Sequence, residues 1–269
     1  MIATEDLIAL DVAFYRAAHS DLKALTDPQL VEHYYRFGYH EGRPNAPVAA
    51  RETFISLFQD SRALEIGPFV NPVLTHEGVD YVDVLSTDDL LKRAERLGLS
   101  TASVKPITHV ADNGSIAFID QTYDVVFSSH NIEHQPDLIS HLNEVSSKLN
   151  DGGVFAMIVP NAKYCFDADL PLSKISDVLD AFYEKRRTHT LGKVVEHRAL
   201  TTHNNTLDHW RATAPRPYRP IDPTRVQAAI TEFIKADGRY IDVLVHLDDT
   251  NDENGCIRFL AGSHKNGAL

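Results

Sequence analysis

Glu65-Ile66-Gly67 closes a short apolar run, Ala63 to Ile66, and leads into a turn. A glycine there lets the backbone approach a ligand with no side chain in the way. Glu65 adds a carboxylate that can attract the ammonium of an amino-acid moiety. Asp83 stands eighteen residues further on, in a second apolar run, Tyr81 to Val84. In a Rossmann-type arrangement an acid at that place accepts from ribose hydroxyls, and it would repel a cofactor phosphate. The dinucleotide fingerprint G-x-G-x-x-G is absent. Two acids without a phosphate-binding loop point to an unphosphorylated adenosyl ligand. Asp112 and Ser129-His130 end two later apolar runs; each also reads plainly as a turn or helix cap.

A second group of chemistry-bearing residues lies between Arg187 and Trp210. His189, His197, His203 and His209 alternate there with Glu196 and Asp208. Histidine takes a proton near neutrality, so some of these can line a substrate pocket; His203 and His209 are the favoured general bases. The bland alternative is a solvated loop with local hydrogen bonds. His130-Asn131-Ile132-Glu133-His134 also matches the inverted zinc-protease pattern H-x-x-E-H. That pattern needs a helix, whereas here it follows a buried strand and precedes Pro136, so no metal site is expected.

The elements that must position these groups follow from composition and periodicity. The chain has 269 residues, 43% hydrophobic and 24% charged, with a formal charge of −12, an ordinary globular balance. Such acidity argues against nucleic-acid or anionic-membrane partners; Lys185-Arg186-Arg187 is the one basic triplet. Cys165 and Cys256 have no partners at metal-ligand spacing. With no signal-like or membrane-length apolar run at hand, a cytoplasmic protein is expected.

Residues 1–47 read as short helices, with Asp27 as a cap before Pro28, ending in a linker at Pro44 to Pro47. From Ser61 apolar strands alternate with helices: Ala63–Ile66, Tyr81–Val84, Ile107–Val110, Tyr123–Ser128 and Val154–Val159 as strands, Asp88–Leu97 and Asp137–Leu149 as helices. Continuously apolar strands separated by helices indicate a parallel sheet covered on both faces. The expectation for 48–269 is a doubly wound, mostly parallel, seven-stranded Rossmann-like α/β domain. Residues 161–220 form its substrate-side insertion with one helix, Ile175–Arg186. Residues 223–236 are helical, and residues 240–261 form a terminal hairpin of Tyr240–Leu247 and Cys256–Leu260.

Leu64-Glu65-Ile66-Gly67-Pro68, Tyr81-Val82-Asp83, His109-Val110-Ala111-Asp112-Asn113 and Asp124 to His134 resemble, in order and spacing, the motifs of class I S-adenosylmethionine-dependent methyltransferases of small molecules. The resemblance runs from about Ala63 to Asn161. It implies S-adenosylmethionine as cofactor, held by Glu65, Gly67, Asp83 and Asp112, with Ser129 and His130 at its methionyl end. Pro68-Phe69 departs from the family, many of whose members carry a second glycine there. The first forty-odd residues, with Phe14-Tyr15, Asp21-Leu22, His33-Tyr34 and Glu41-Gly42-Arg43, resemble a short bacterial module attached to enzymes of glycan assembly. Leu247-Asp248-Asp249-Thr250, Glu253-Asn254-Gly255-Cys256 and Gly262-Ser263-His264-Lys265 are similar to the phytanoyl-CoA dioxygenase family. That family's iron site takes an H-x-D pair and a distal histidine, a set this chain is not expected to complete. The tail either completes the sheet or is a fusion remnant. The function expected is methyl transfer to a small-molecule acceptor, with a sugar or glycan precursor as the acceptor class the first module suggests. The alternative is a non-catalytic or decayed protein of the same fold with a truncated dioxygenase-like tail.

Overall fold

The computed structural model describes residues 10–46, 49, 51–160, 165, 170–200 and 223–235 and, for the backbone, 256–261. The chain divides into two units, Met1–Gln59 and Asp60–Leu269.

An aromatic kernel organises the first unit. Helix α1 (Val12–Ala18) begins where Asp11 Oδ1 accepts from the Phe14 N–H at 2.9 Å. Helix α2 (Asp27–His33) is capped by Thr26 rather than Asp27. A capping box needs Glu or Gln three residues past the cap. Gln29 meets that from Thr26, accepting the Thr26 N–H at 2.9 Å, whereas Leu30 could not serve Asp27. A wider π turn, Tyr34–Gly38, continues α2. Tyr15 and Leu30 are fully buried beside Leu22, and the Tyr15 hydroxyl meets His33 Nδ1 at 3.2 Å. Gly38 packs directly on that ring, and a Cβ there would overlap the hydroxyl. Gly38→Ala should therefore destabilise this unit by about 1–3 kcal/mol, seen as faster proteolysis of residues before Gln59; unchanged cleavage would show that Tyr15 moves aside freely. Helix α3 (Arg51–Ser56) buries Phe54, whose ring meets Phe58 edge-on at 5.2 Å.

The second unit is a Rossmann-like α/β layer structure. Strands β1 (Ala63–Ile66), β2 (Val79–Asp83), β3 (His109–Val110), β4 (Tyr123–Ser129), β5 (Leu149–Pro160) and β6 (Cys256–Ala261) form one sheet in the order β3-β2-β1-β4-β5-β6. The first five are parallel, and β6 runs antiparallel to β5. Seven strands were expected; among the described residues there are six, because the candidate strand Tyr240–Leu247 lies outside them. The tail does supply a strand, with Phe155 opposite Ala261 and Pro160 opposite Cys256.

Both sheet faces are covered, as the unbroken apolar runs require. Leu64, Ile66, Val82, Val126 and Phe155 pack on one side with Val145 of helix α5 (Leu138–Ser147). By the two-residue alternation, Ala63, Tyr81, Val125, Phe127, Ala156 and Ile158, all buried, belong to the other. Asp137 caps α5 by accepting the Ser140 N–H at 2.9 Å, and Ser86 caps helix α4 (Thr87–Leu97). Helices α6 (Ile175–Tyr183), α7 (Leu191–Leu200) and α8 (Pro223–Lys235) follow.

Two expectations change here. Asp151-Gly152-Gly153 does not turn the chain into a new strand. Strand β5 already begins at Leu149 and runs through the glycines with a register shift against β4. Gly152 sits at φ +81°, and a Cβ on Gly153 would lie 3.1 Å from the carbonyl oxygens of Tyr123 and Asp124. The pair is a bulge, read as a turn because both use glycine for the same reason. Helix α7 falls where a histidine-rich loop was the plain reading. Leu191, Val194 and Val195 give it a short apolar stripe, and the Thr190 hydroxyl oxygen accepts from the Lys193 N–H at 3.3 Å.

Candidate functional site

The strand order reverses between β1 and β4, whose connections leave to opposite sides. In a doubly wound sheet a ligand crevice opens there, at the carboxyl ends of the strands. The two loops that flank the reversal hold unusual backbone. Gly67, directly after β1, has φ +68°. Phe69 and His130 have φ +47° and +52°, a left-handed conformation uncommon outside glycine. Phe69 thus takes a conformation that a second glycine would adopt freely, so the departure from the family pattern leaves strained backbone at this position. The loops also touch: a Cβ on Gly67 would stand 2.6 Å from Asn131 Nδ2. Asn131 is itself held, its Oδ1 accepting from Gln135 Nε2 at 2.8 Å.

Glu65 holds this loop. Its carboxylate is 1% exposed and accepts the N–H groups of Val73 at 2.8 Å and Leu74 at 2.9 Å. Both oxygens accept from main chain, so Glu65 shapes the turn after β1. Tyr81 completes the tie by donating its hydroxyl to Leu74 O at 2.6 Å. Burial, with the nearby Glu65 charge, pushes that phenol up to about 12.

Asp83 closes β2 on the next strand. Its Oδ1 accepts the Leu85 N–H at 3.1 Å and its Oδ2 the Phe69 N–H at 3.4 Å. The same acid therefore links the end of β2 to the loop after β1. Desolvation by burial holds its carboxyl above the ordinary carboxylate range, partly offset by main-chain hydrogen bonds from Leu85, Phe69 and Val84. Asp112, past β3, is exposed in a turn closed by the Gly114 N–H on Ala111 O at 2.7 Å. Asn113 makes the local turn bond, its Oδ1 accepting the Ser115 N–H at 2.9 Å.

At the end of β4, Ser129 is half-buried and the His130 N–H donates to Ile158 O on β5 at 2.9 Å. Ile132–His134 is a single 3-10 turn, so the H-x-x-E-H pattern has no helix to set two histidines on one face. Instead Glu133 Oε1 lies 3.7 Å from His130 Nδ1 and 3.7 Å from His134 Nε2. His189 comes in from the segment before α7 and its Nε2 reaches His134 O at 3.0 Å. Sequence reading named His130 and weighed His189 but gave Glu133 no role here; its position between two histidines was the available signal. His197 is buried on α7. His203 and His209 lie outside the described residues. Among the described residues no three His, Cys, Asp or Glu side chains are placed to hold a metal ion. No described helix is long and apolar enough to cross a membrane.

The Methyltransferase domain family matches residues 69–157, from the loop after β1 into β5. The phytanoyl-CoA dioxygenase (PhyH) family matches residues 173–268, a span that reaches from α6 through β6 and so exceeds the tail beyond Leu247. H-x-D triplets do occur in the chain, at His19-Ser20-Asp21 and, within this matched span, at His246-Leu247-Asp248. The latter lies outside the described residues. No curated protein matches the chain. Among solved structures, the glycopeptide N-methyltransferase MtfA is 18% identical over 44% of this chain and 56% of its own, with a TM-score of 0.32. An S-adenosylmethionine-dependent methyltransferase from Mesorhizobium loti is 18% identical over 46% of this chain and 60% of its own, also at 0.32. The DhpI-SAH complex is 19% identical over 62% and 74%, at 0.30. The chain thus spans less than two thirds of the first two. Between Phe69 and Met157 this chain is similar to the methyltransferase domain, and from Ser173 to the dioxygenase family.

Proposed function

We propose that the second unit binds S-adenosylmethionine at the β1–β4 switch point and transfers its methyl group to a small-molecule acceptor. One observation carries this reading. Left-handed Gly67 follows β1 at the switch point, and the buried acid Asp83 ends the adjacent strand β2. That combination suits a sugar-bearing ligand without phosphate at the switch point. The match of residues 69–157 to the methyltransferase domain supports it.

In this reading Gly67 and the main chain of its loop cradle the cofactor, and Glu65 keeps that loop in shape. Asp83 accepts from the ribose hydroxyls, Asp112 borders the adenine, and Ser129 and His130 border the methionyl end. When bound, S-adenosylmethionine supplies a methyl group already activated on a positively charged sulfur. What the protein adds is alignment of the acceptor and exclusion of water. His203 and His209 are candidates for taking the acceptor's proton. A sugar or glycan precursor is the acceptor class suggested by the resemblance of the first unit to modules of glycan-assembly enzymes.

Calorimetric titration with S-adenosylmethionine tests the reading. The native protein should bind, and Asp83→Ala should bind at least about tenfold more weakly, a loss of roughly 1.4 kcal/mol. Because burial raises the Asp83 pKa, native affinity should begin to fall on acidification before an exposed aspartate would protonate. Absence of native binding, or equal affinity in Asp83→Ala, would sink the proposal.

A further inference from the structure

We propose that His130, rather than His203 or His209, is the proton acceptor for the transfer and that Glu133 is its positioning residue. The proposal rests on the cofactor reading above. His130 is the first residue past β4 at the switch point. Its N–H is fixed to Ile158 O at 2.9 Å and its φ is +52°. Left-handed backbone at a non-glycine residue persists where its surroundings impose it, and such residues gather at functional sites. Here the imposed conformation fixes the Cα–Cβ direction of a side chain whose ring can take a proton near neutrality.

The surroundings favour that proton. Glu133 Oε1 is 3.7 Å from the His130 ring and 3.7 Å from the His134 ring. Side-chain exposures of 10%, 22% and 17% for His130, Glu133 and His134 mean weak screening by solvent. A carboxylate at that range favours imidazolium over imidazole. From outside the turn, His189 Nε2 fixes His134 O at 3.0 Å, and the same segment is anchored by Arg187 to Glu144 on α5 at 3.2 Å. The turn carrying Glu133 is thus held from β5 on one side and from the α7 approach on the other.

An acceptor bearing an O–H is the class that needs such a group. As the acceptor atom forms its bond to the methyl carbon, its proton passes to His130. The sulfur keeps the electron pair of the bond that breaks and leaves as a neutral thioether. Charge is conserved: the positive charge moves from sulfur to the imidazolium.

The test needs no knowledge of the acceptor. S-adenosylmethionine carries a positive sulfur and S-adenosylhomocysteine a neutral one, so an imidazolium at the reacting methyl repels only the former. Both ligands are titrated calorimetrically between about pH 5.5 and 7.5, the range where histidine changes charge. Protonation of Asp83 affects both alike and cancels in the ratio of affinities. The expected result is a ratio that shifts toward S-adenosylmethionine by about tenfold as pH rises. In His130→Gln the ratio should be flat. In Glu133→Gln its midpoint should move to lower pH, and Glu133→Asp should restore most of it. Binding of both ligands with a pH-independent native ratio, or with a ratio that changes equally in His130→Gln, overturns the proposal while leaving the cofactor reading intact. Binding of neither ligand overturns the cofactor reading itself.

Discussion

Gly67→Val should weaken S-adenosylmethionine binding at least a hundredfold, equivalent to about 2.7 kcal/mol at 25 °C. Two penalties combine. A β-branched residue strongly disfavours φ +68°. Its Cβ would also stand 2.6 Å from Asn131 Nδ2, and Asn131 cannot simply swing away, because Gln135 holds its other amide atom at 2.8 Å. The loop has little slack to absorb the clash either. Glu65 fixes it at Val73 and Leu74, and Asp83 at Phe69. Gly67→Ala should show a smaller loss, and adding Asn131→Ala should recover part of it. That coupling in a double-mutant cycle separates the steric part from the backbone part. If Gly67→Val binds within threefold of native by calorimetry, the loop after β1 is not the cradle.

His141→Leu should raise stability by about 2 kcal/mol near neutrality and flatten its dependence on acid. His141 lies on the buried side of α5, 4% exposed, its ring 6.4 Å from that of Phe155. Among the described residues neither ring nitrogen has a hydrogen-bond partner, a state that costs about 1–3 kcal/mol per buried polar group. Burial pushes its pKa down to about 4, against a smaller opposing pull from Glu144. The folded value is below the unfolded value of 6.5. The contribution of this group is therefore full above pH 6.5 and is lost as pH falls toward 4, by about 3 kcal/mol in all. Urea unfolding of native and His141→Leu protein at pH 7 and pH 5 checks this. A difference between the two proteins that stays constant across that interval would refute the assignment.

The sequence revealed those features that one local physical requirement controls. Strand β1 is buried at all four positions, as a strand of a sheet covered on both faces requires. Asp83 could be placed because the distance from one strand end to the next is set by a single crossover. What stayed hidden depends on contacts across loops. Glu65 and Asp83 are both acids at strand ends, yet only the coordinates show that the first holds Val73 and Leu74 while the second ties Phe69 to β2. The left-handed backbone of Phe69 and His130 has no signature in residue type. Glycine misled in the opposite direction at Gly152-Gly153, where a bulge and a turn call on the same freedom. Helix α7 escaped because its apolar stripe is short and lies among histidines, whose side chains suit helix or loop equally.

The antiparallel pairing of β6 on β5 has a kinetic side. All of residues 161–255 lie between the two strands, so their meeting closes a long loop and is among the least local contacts in the sheet. Such contacts form slowly, since chain entropy is lost before the pairing returns anything. Until β6 arrives, the outer edge of β5 offers its unpaired N–H and C=O groups to any extended segment nearby. The same strand that pairs with β5 therefore also sets how long that adhesive edge stays open during folding.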